Sequence, residues 1–170
     1  MTVENKREHV QSDYRPKLIY FITEDWYFVS HRLALAEAAA RNGFDVAVIT
    51  RVSKHGDRIT DCGIRVIPVE LRRSSINPLQ ELRRIWSLYR IYQQEKPDIA
   101  HHVAIKPVLG GTVAAYMAGV PSVINALAGL GYIFSASSLK ARILKLVIVP
   151  ALKILLRSKR CNVIVQNRDD

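Results

Sequence analysis

Short runs of apolar, β-forming residues alternate along this chain with segments in which apolar residues recur every three or four positions. A short apolar run predicts a buried strand, and the longer spacing predicts a helix that packs one face against a core. Pro68 lies in the third run and indicates an edge or irregular position, because proline has no amide hydrogen for a neighbouring strand. The six predicted strands are Lys17–Thr23, Asp45–Thr50, Ile64–Val69, Asp98–His102, Ser122–Ala126 and Asn162–Gln166.

Proline, glycine and capping residues mark the predicted helices. Ser30 is suited to cap a helix that starts at His31, and Gly43 is suited to end that helix. The Asn77–Pro78 pair is typical of a helix start. The four predicted helices are His31–Asn42, one from Pro78 to just before Pro97, Pro107–Gly119 and Leu139–Arg157.

Strands that alternate with helices predict an α/β fold. The expected architecture is a doubly wound, mostly parallel, Rossmann-like sheet of about six strands with helices on both faces. One such domain accounts for residues 17–170, and the polar segment 51–62 predicts a loop or a frayed helix within it. Residues 1–16 are polar and charged, without the apolar stretch of a signal peptide, and predict a disordered tail.

The chain carries 25 Lys and Arg against 15 Asp and Glu, a formal net charge of +10. This excess favours an anionic partner: a phosphate-bearing ligand, a lipid headgroup or nucleic acid. The sequence has no helix-turn-helix, zinc-finger or RNA-binding signature, so a nucleic acid partner is not predicted. Cys62 and Cys161 lack metal-ligand spacing, which argues against a disulfide framework or a zinc site and favours a reducing, cytoplasmic location.

Ligands of doubly wound sheets bind beyond the carboxyl ends of the strands, so the loops after the strands form the candidate site. After the first strand, two acids and three aromatic residues precede His31. The aromatic residues suit a sugar-stacking or lipid-facing surface, or they pack the loop. His31 either donates to a ligand phosphate at a helix N-terminus or is a surface residue. After the third strand, Arg72, Arg73, Ser74 and Ser75 suit a pyrophosphate cradle or a solvated charged loop.

Two further loops carry histidines, a lysine and glycines. His101 and His102 are adjacent on a strand and point to opposite faces, which makes them poor joint metal ligands and predicts one in the core and one at the crevice. Lys106 beside a helix N-terminus suits an anionic ligand, and Gly110–Gly111 permit the close approach of a backbone or a ligand. The Gly129–Gly131 loop lacks the third glycine of a dinucleotide fingerprint and predicts a flexible loop over an acceptor.

The last predicted helix is amphipathic and basic. Two interpretations stay open: the apolar side packs on the sheet, or the helix lies on an anionic bilayer. Its longest uncharged run, Leu146–Leu152, is far shorter than the roughly 18 residues that a membrane-spanning helix needs. The basic side holds Arg142, Lys145, Lys153, Arg157 and Arg160, and the apolar side holds Ile143, Leu144, Val147, Ile148, Ala151, Ile154 and Leu155.

Four runs of the sequence together resemble the N-terminal domain of family 4 retaining glycosyltransferases. The resemblance is strongest to the bacterial members that build O-antigen, capsule and exopolysaccharide, and it covers Pro16 to Asp170. It implies one half of a GT-B fold, in which two Rossmann-like domains face each other across a cleft. The four runs are ITEDWYFVSHRLALAEAAARNGFDVAVIT, RRSSINPLQELRRIWSLYRIYQQEKPDIAHHVAIKPVLGGTVAAYMAGVP, NALAGLGYIFSAS and VIVQNRDD.

The resemblance also implies roles for residues in the strand-end loops. Trp26, Ser30 and His31 would line the cleft near the donor phosphate. Many relatives have a His-x-His pair after the fourth strand and a glycine-rich loop after the first, whereas this chain has His101-His102-Val103 and EDWYF. The catalytic candidates are therefore His31 and His102. The residues that would border the acceptor site are Arg73, Ser74, His102, Lys106, Gly129 and Gly131.

The function implied by the resemblance is sugar transfer from a nucleotide sugar to a polyprenyl-diphosphate-linked sugar or a saccharide, in cell-surface polysaccharide biosynthesis. This half would bind the acceptor without a metal or cofactor, while a C-terminal domain would bind the nucleotide sugar. The paired-glutamate motif of that domain is absent from the 170 residues, so the chain alone is not expected to transfer sugar. The alternative is a non-catalytic, membrane-associated scaffold subunit that pairs with a separate donor-binding subunit. Either protein would be cytoplasmic, with a peripheral position on the inner face of the membrane left open.

Overall fold

The computed structural model describes residues 14–70, 78–127 and 139–165, except for the side chains of 139–145 and 147. Strands and helices alternate throughout these ranges, as the apolar pattern predicts. The strands are β1 (Lys17–Glu24), β2 (Asp45–Arg51), β3 (Arg65–Pro68), β4 (Ile99–Val103), β5 (Ser122–Leu127) and β6 (Cys161–Val165). The helices are α1 (Asp25–His31), α2 (Leu33–Arg41), α3 (Gly56–Asp61), α4 (Pro78–Glu95), α5 (Ile105–Met117) and α6 (Leu139–Leu155).

The six strands form one parallel sheet in the order β3-β2-β1-β4-β5-β6. The chain winds outward from β1 in one direction, returns to β4 beside β1, and winds outward in the other direction. This confirms the predicted doubly wound α/β sheet. Pro68 lies in the edge strand β3, as expected for a residue that cannot donate to a neighbour.

Alternate residues of the central strands enter two separate cores, one on each face of the sheet. Tyr20 and Val48 pack with Phe28 of α1, Leu33 of α2 and Ile59 of α3 on the first face. On the second face, α4 and α5 contribute the buried side chains Leu88, Tyr92, Ala114 and Ala115 to the core that contains Ile19, Phe21 and Ile49. The predicted helices on both faces are therefore present.

The first predicted helix is in fact two helices, and the prediction that Ser30 caps it is wrong. Helix α1 begins at Asp25, and the Ser30 hydroxyl lies inside α1, where it donates to the Trp26 carbonyl at 2.9 Å. Arg32 has a non-helical backbone (φ −131°) and separates α1 from α2. A buried carboxylate at Asp25, which accepts the Trp26 amide at 2.7 Å, starts the helix earlier than the sequence pattern suggests. Gly43 does follow α2 with φ +88°, as predicted.

Helix α6 packs only part of its predicted apolar side. Ile148 and Leu152 are buried against Val108 and Leu127, as the packing interpretation requires. Ile154, placed on the same apolar side by the sequence pattern, is 73% exposed. In the described part of the chain, no helix combines the length and apolarity that crossing a bilayer requires.

Elsewhere the boundaries shift by a few residues. The segment 51–62 contains the short helix α3, and α5 begins at Ile105, so that Pro107 lies in its first turn. Of the predicted tail 1–16, only the last three residues are described. Tyr14 donates a hydrogen bond to Asp98, and Pro16 accepts one from the Asp45 amide at 3.0 Å. The contacts of the domain thus begin before Lys17.

Candidate functional site

The sheet order reverses between β1 and β4, which both belong to the centre of the sheet. The segments that leave these two strands diverge, because β1 leads into α1 on one face and β4 leads into α5 on the other. A crevice at the carboxyl ends is the usual consequence in this fold, and it is where such sheets bind ligands. The candidate site is therefore built from the ends of β1 and β4 and the helices that follow them.

Asp25 fixes the loop next to this crevice. Its buried carboxylate accepts the amides of Ser53, Lys54 and His55 at 2.6, 3.0 and 2.9 Å, and the Ser53 hydroxyl at 2.6 Å. Burial opposes ionisation of this group. The hydrogen bonds from Ser53, His55 and Trp26 outweigh that effect and hold the pKa of Asp25 below its ordinary value. Asp25 is thus an ionised anchor that ties the β2–α3 loop to the start of α1.

Glu24 makes a second link across the same edge of the sheet. Oε2 of this buried side chain accepts from Arg51 Nη2 at 2.7 Å and from Nε at 3.1 Å. Both acids of the predicted EDWYF loop therefore hold the end of β1 to the end of β2. Sequence inspection alone placed them in a loop, although an acidic residue such as Asp25 is favoured in the first turn of a helix and was the available signal.

Helix α1 carries a row of aromatic side chains that is exposed at Trp26 and His31 and half-buried at Tyr27. Trp26 is 42% exposed and meets Tyr27 edge-on, with ring centroids 5.6 Å apart. The Tyr27 ring stacks on His31 at 4.2 Å, and Ser30 Oγ lies 2.7 Å from His31 Nδ1. The structure thus brings together Trp26, Ser30 and His31. His31 is the last residue of α1, so the expected position at the start of a helix is wrong.

His102 lies inside the core that contains α4 and α5. It has no exposed surface; Nε2 lies 3.0 Å from the Tyr92 hydroxyl and Nδ1 2.9 Å from Asn125 Oδ1. Since the Asn125 oxygen can only accept, Nδ1 carries the proton and Nε2 accepts from Tyr92. Burial lowers the pKa of His102 to about 4. The catalytic candidate His102 is therefore a neutral core residue without a surface to offer a substrate.

His101 is also buried, so the expectation that one of the two histidines faces the crevice is wrong. It points to the opposite face of the sheet, 3% exposed, with its ring 4.9 Å from that of Tyr20. Burial, with the nearby charge of Arg32 as a smaller contribution, lowers the pKa of His101 to about 4. Both histidines are core residues because the strand β4 that carries them is central and covered on both faces.

Gly111 explains how so large a side chain as His102 fits beneath α5. A Cβ at Gly111 would lie 2.6 Å from His102 Cδ2 and 2.9 Å from Phe21 Cδ1. The close approach predicted for the glycine pair is therefore made by core side chains. Gly110 has no such restriction, since the nearest atom to its Cβ position is Ile85 Cγ1 at 3.6 Å.

Lys106, one of the predicted cations, faces this edge of the sheet. It is exposed in the first turn of α5, where it borders a narrow cleft with Thr23 and Arg84. Arg84 is held by Glu81 at 2.6 Å, and it also borders a cavity of about 660 Å³ between the end of β3 and α4. Ala104, just before α5, has φ +76°, a strained backbone of the kind that clusters at functional sites.

Four predicted site residues, Arg73, Ser74, Gly129 and Gly131, lie outside the described residues. Among the residues that are described, no group of three or more His, Cys, Asp or Glu side chains is arranged to hold a metal ion. The cations and aromatic residues around the crevice are thus the chemistry that the described structure offers. Arg84 and Glu81 were not singled out from sequence; their spacing of three on a helix was the signal.

Comparison with known proteins identifies the family to which the chain is similar. The sequence profile described as "Glycosyl transferase 4-like" matches residues 17–167. A UDP-Gal:alpha-D-GlcNAc-diphosphoundecaprenol alpha-1,3-galactosyltransferase from Escherichia coli is 31% identical over 104 residues, 61% of this chain and 26% of the relative. An N,N'-diacetylbacillosaminyl-diphospho-undecaprenol alpha-1,3-N-acetylgalactosaminyltransferase from Campylobacter jejuni is 26% identical over 117 residues, 69% of this chain and 31% of the relative.

Solved structures agree on the fold. A glycosyltransferase from Rickettsia africae superimposes with a TM-score of 0.58 at 11% identity, over 91% of this chain and 43% of that protein. This likeness confirms the predicted Rossmann-like fold. The chain spans between a quarter and a third of the length of the two curated relatives. Since the family profile covers nearly all of its residues, the chain belongs to the glycosyl transferase 4-like family.

Proposed function

We propose that this chain is the acceptor-binding part of a glycosyltransferase that transfers a sugar from a nucleotide sugar to a polyprenyl-diphosphate-linked sugar. The observation that carries the proposal is the aromatic row of α1, which is exposed at Trp26 and His31 and directly follows the end of β1 at the crevice. Both curated relatives are named for undecaprenyl-diphosphate-linked acceptors, which supports this class of acceptor.

The two kinds of side chain at this edge suit the two parts of such an acceptor. The apolar face of a sugar ring packs on an aromatic ring, and Trp26 presents one that is 42% exposed. A diphosphate is bound by cationic side chains, and Lys106 and Arg84 border the cleft at the ends of β1 and α5. The predicted acceptor residues Arg73, Ser74, Gly129 and Gly131 belong to the same proposal.

His31 is the proposed reacting or phosphate-contacting group. Its Nδ1 is engaged by Ser30 Oγ at 2.7 Å, and its ring is held against Tyr27 at 4.2 Å. With Nδ1 occupied, Nε2 is the nitrogen that a substrate would meet. His102 has no part in this proposal beyond holding the core, because its two ring nitrogens are engaged by Tyr92 and Asn125.

The nucleotide-sugar donor is proposed to bind a donor-binding domain, with no cofactor held by this half. Sugar transfer would then occur only when the two halves are combined, at the inner face of the cell membrane. The scaffold alternative is supported by the exposed apolar residues of the helices. It predicts acceptor binding without transfer, even when a family donor-binding domain is supplied in cis or in trans.

The experiment that tests this proposal is acceptor binding by the 170-residue chain, measured by calorimetry with a short-chain, water-soluble prenyl-diphosphate-linked N-acetylhexosamine. Trp26→Ala should weaken binding about three- to tenfold, because a stacking surface is lost. Trp86→Ala is the matched control, since Trp86 is 55% exposed on α4 and away from α1. Unchanged binding by Trp26→Ala, or binding of the nucleotide sugar in place of the acceptor, would overturn the proposal.

A further inference from the structure

The two ring nitrogens of His31 have different surroundings at the end of α1. Nδ1 lies 2.7 Å from Ser30 Oγ and 3.3 Å from the carbonyl oxygen of Tyr27. The ring stacks on that of Tyr27, with the centroids 4.2 Å apart and the planes inclined by 15°, which holds the orientation of the imidazole. No residue that the structure describes makes a hydrogen bond to Nε2, and the side chain is exposed. Nε2 is therefore the nitrogen that a ligand can reach.

The Ser30 hydroxyl has a single proton, and the oxygens around it decide where that proton points. Ser30 Oγ lies 2.9 Å from the carbonyl oxygen of Trp26 and 3.3 Å from that of Tyr27. A carbonyl oxygen can only accept a hydrogen bond. Two oxygens 2.9 Å apart without a proton between them would repel each other, so the hydroxyl donates to the Trp26 carbonyl. The lone pairs of Oγ are then left to accept a hydrogen bond from His31 Nδ1.

This arrangement places the proton of the neutral His31 ring on Nδ1. In the reverse arrangement Ser30 Oγ would donate to Nδ1, and the lone pair of Nδ1 would also lie near the Tyr27 carbonyl oxygen at 3.3 Å. The first arrangement makes two hydrogen bonds, whereas the reverse arrangement makes one. A free imidazole prefers the proton on Nε2 only slightly, so the additional hydrogen bond is sufficient to reverse that preference.

We propose that Ser30 is a positioning residue that holds neutral His31 with its proton on Nδ1, so that Nε2 accepts a hydrogen bond from a hydroxyl group of the acceptor sugar. In this form Nε2 has a lone pair and no proton, and it cannot donate to a phosphate oxygen. The identity of the ligand rests on the proposed function, whereas the position of the proton does not. Of the two roles proposed for His31, contact with a hydroxyl of the reacting sugar is thereby favoured over contact with a phosphate.

The surroundings of His31 suit a sugar hydroxyl in two further ways. Trp26 meets Tyr27 with the ring centroids 5.6 Å apart, and Tyr27 stacks on His31, so Trp26 and His31 are the two exposed ends of one row. A sugar presents an apolar face to an aromatic ring and hydroxyl groups at its edge, so one ligand can use both ends of the row. The cations Lys106 and Arg84 border the separate cleft beside α5, where a diphosphate finds its partners without His31.

The first test detects the proton of His31 directly in the ligand-free 170-residue chain. Long-range proton–nitrogen correlation spectra of protein with nitrogen-labelled histidine, in a buffer in which imidazoles are neutral, distinguish a proton on Nδ1 from one on Nε2. Wild-type His31 should carry it on Nδ1, and Ser30→Ala should move it mainly to Nε2. Ser30→Thr should restore the Nδ1 proton, because a threonine hydroxyl also bonds to a carbonyl of the preceding turn of a helix.

The spectra contain their own reference and control. His102 donates its Nδ1 proton to Asn125, so its signals mark the expected pattern, and His31→Gln identifies the signals of His31. Ser87→Ala makes the same change at an exposed serine of α4 and should leave the His31 signals unchanged. Circular dichroism establishes that each variant is folded. A wild-type ring with its proton on Nε2, or a proton that stays on Nδ1 in Ser30→Ala, overturns the proposal.

The second test establishes whether Ser30 acts through His31. In calorimetry with the prenyl-diphosphate-linked N-acetylhexosamine, Ser30→Ala and His31→Ala should each weaken binding about three- to tenfold, the effect of one hydrogen bond. The double variant should bind no more weakly than His31→Ala alone, because both changes remove the same contact. Inorganic pyrophosphate should bind equally to the wild type and to all three variants, since Nε2 does not donate to it.

The outcomes that contradict the role of Nε2 are distinct from those that contradict the proposed function. Additive losses in the double variant, or weaker binding of pyrophosphate by Ser30→Ala, would overturn a hydrogen bond from a sugar hydroxyl to Nε2 of His31. A wild-type chain that binds no acceptor overturns the proposed function and with it the sugar as the ligand of Nε2. The position of the proton is decided by the spectra alone.

Discussion

His102 donates its Nδ1 proton to Asn125 Oδ1 across 2.9 Å, and this bond joins two central strands of the sheet inside the core. The Thr112 hydroxyl donates to the same oxygen at 3.0 Å, and Tyr92 donates to His102 Nε2 at 3.0 Å. Asn125 in turn donates to Cys161 Sγ at 3.2 Å. The network therefore connects β4, β5 and β6 with the two helices α4 and α5 that border the candidate site.

Removal of the two catalytic candidates, His102 and His31, should have different effects on the stability of the chain. His102→Ala should lower the free energy of unfolding by about 2–4 kcal/mol, because it leaves a cavity and unpaired Tyr92 and Asn125 groups. His31→Ala changes an exposed side chain and should stay within about 0.5 kcal/mol of wild type. Urea unfolding of both variants measures the difference. Equal, small effects would contradict the core role assigned to His102.

The two adjacent glycines of α5 should respond in opposite directions to alanine. Gly111→Ala places a Cβ 2.6 Å from the His102 ring and should cost about 1–3 kcal/mol of stability. Gly110→Ala meets nothing closer than 3.6 Å and should stabilise the helix by up to about 1 kcal/mol. Thermal unfolding of the matched pair compares the same substitution one position apart. A stable Gly111→Ala variant would mean that His102 can move away.

Asp25→Asn should destabilise the chain because an amide cannot replace a carboxylate that accepts four hydrogen bonds from 53–55. The loss should be about 2–4 kcal/mol, because the side chain at position 25 is fully buried and an amide there leaves some of these donors without an acceptor. Ser53→Ala removes only the hydroxyl donor at 2.6 Å and should cost about 1 kcal/mol. Chemical denaturation of the two variants gives the comparison. A loss for Asp25→Asn no larger than that for Ser53→Ala would count against the anchoring role.

Stability should fall as the pH is lowered from about 7.5 to 5. Burial lowers the pKa values of His101 and His102 from 6.5 to about 4. Between these values the unfolded chain binds protons that the folded chain does not, so the free energy of unfolding decreases with falling pH. His102→Asn should reduce this slope, because one of the two histidines with a lowered pKa is removed. Unfolding curves at several pH values measure the slope, and a flat wild-type profile would contradict the prediction.

The Glu95 carboxylate affects the free energy of unfolding in a lower and separate pH range. Its hydrogen bond from Arg65, with Lys17 as a second partner, lowers the pKa of Glu95 from 4.5 to about 2. A depressed carboxyl pKa contributes stability that is present above pH 4.5 and lost as the pH falls towards 2. Measurements between pH 7.5 and 5 therefore report on the histidines and leave the Glu95 contribution constant.

The periodicity of apolar residues was sufficient to predict the sheet and most of its helices. A short apolar run such as DVAVIT is typical of a strand that is covered on both faces of a sheet. Gly43 could be assigned to the end of a helix because a left-handed backbone favours glycine. The resemblance to family 4 glycosyltransferases likewise depended on residues that are local in sequence. These features are encoded by neighbours along the chain, so no knowledge of the packing was needed.

The roles of the site residues depend on contacts between residues that are far apart in the sequence, which no local sequence pattern predicts. Asp25 is an anchor only because the β2–α3 loop returns to it, and His102 is a core residue only because Asn125, Tyr92 and a glycine of α5 surround it. The sequence predicts that α4 is a helix but does not determine which of its apolar residues pack against the sheet. Which of them the sheet covers is decided by the orientation of the helix on its neighbours, and that orientation leaves Leu79, Leu82 and Trp86 more than half exposed.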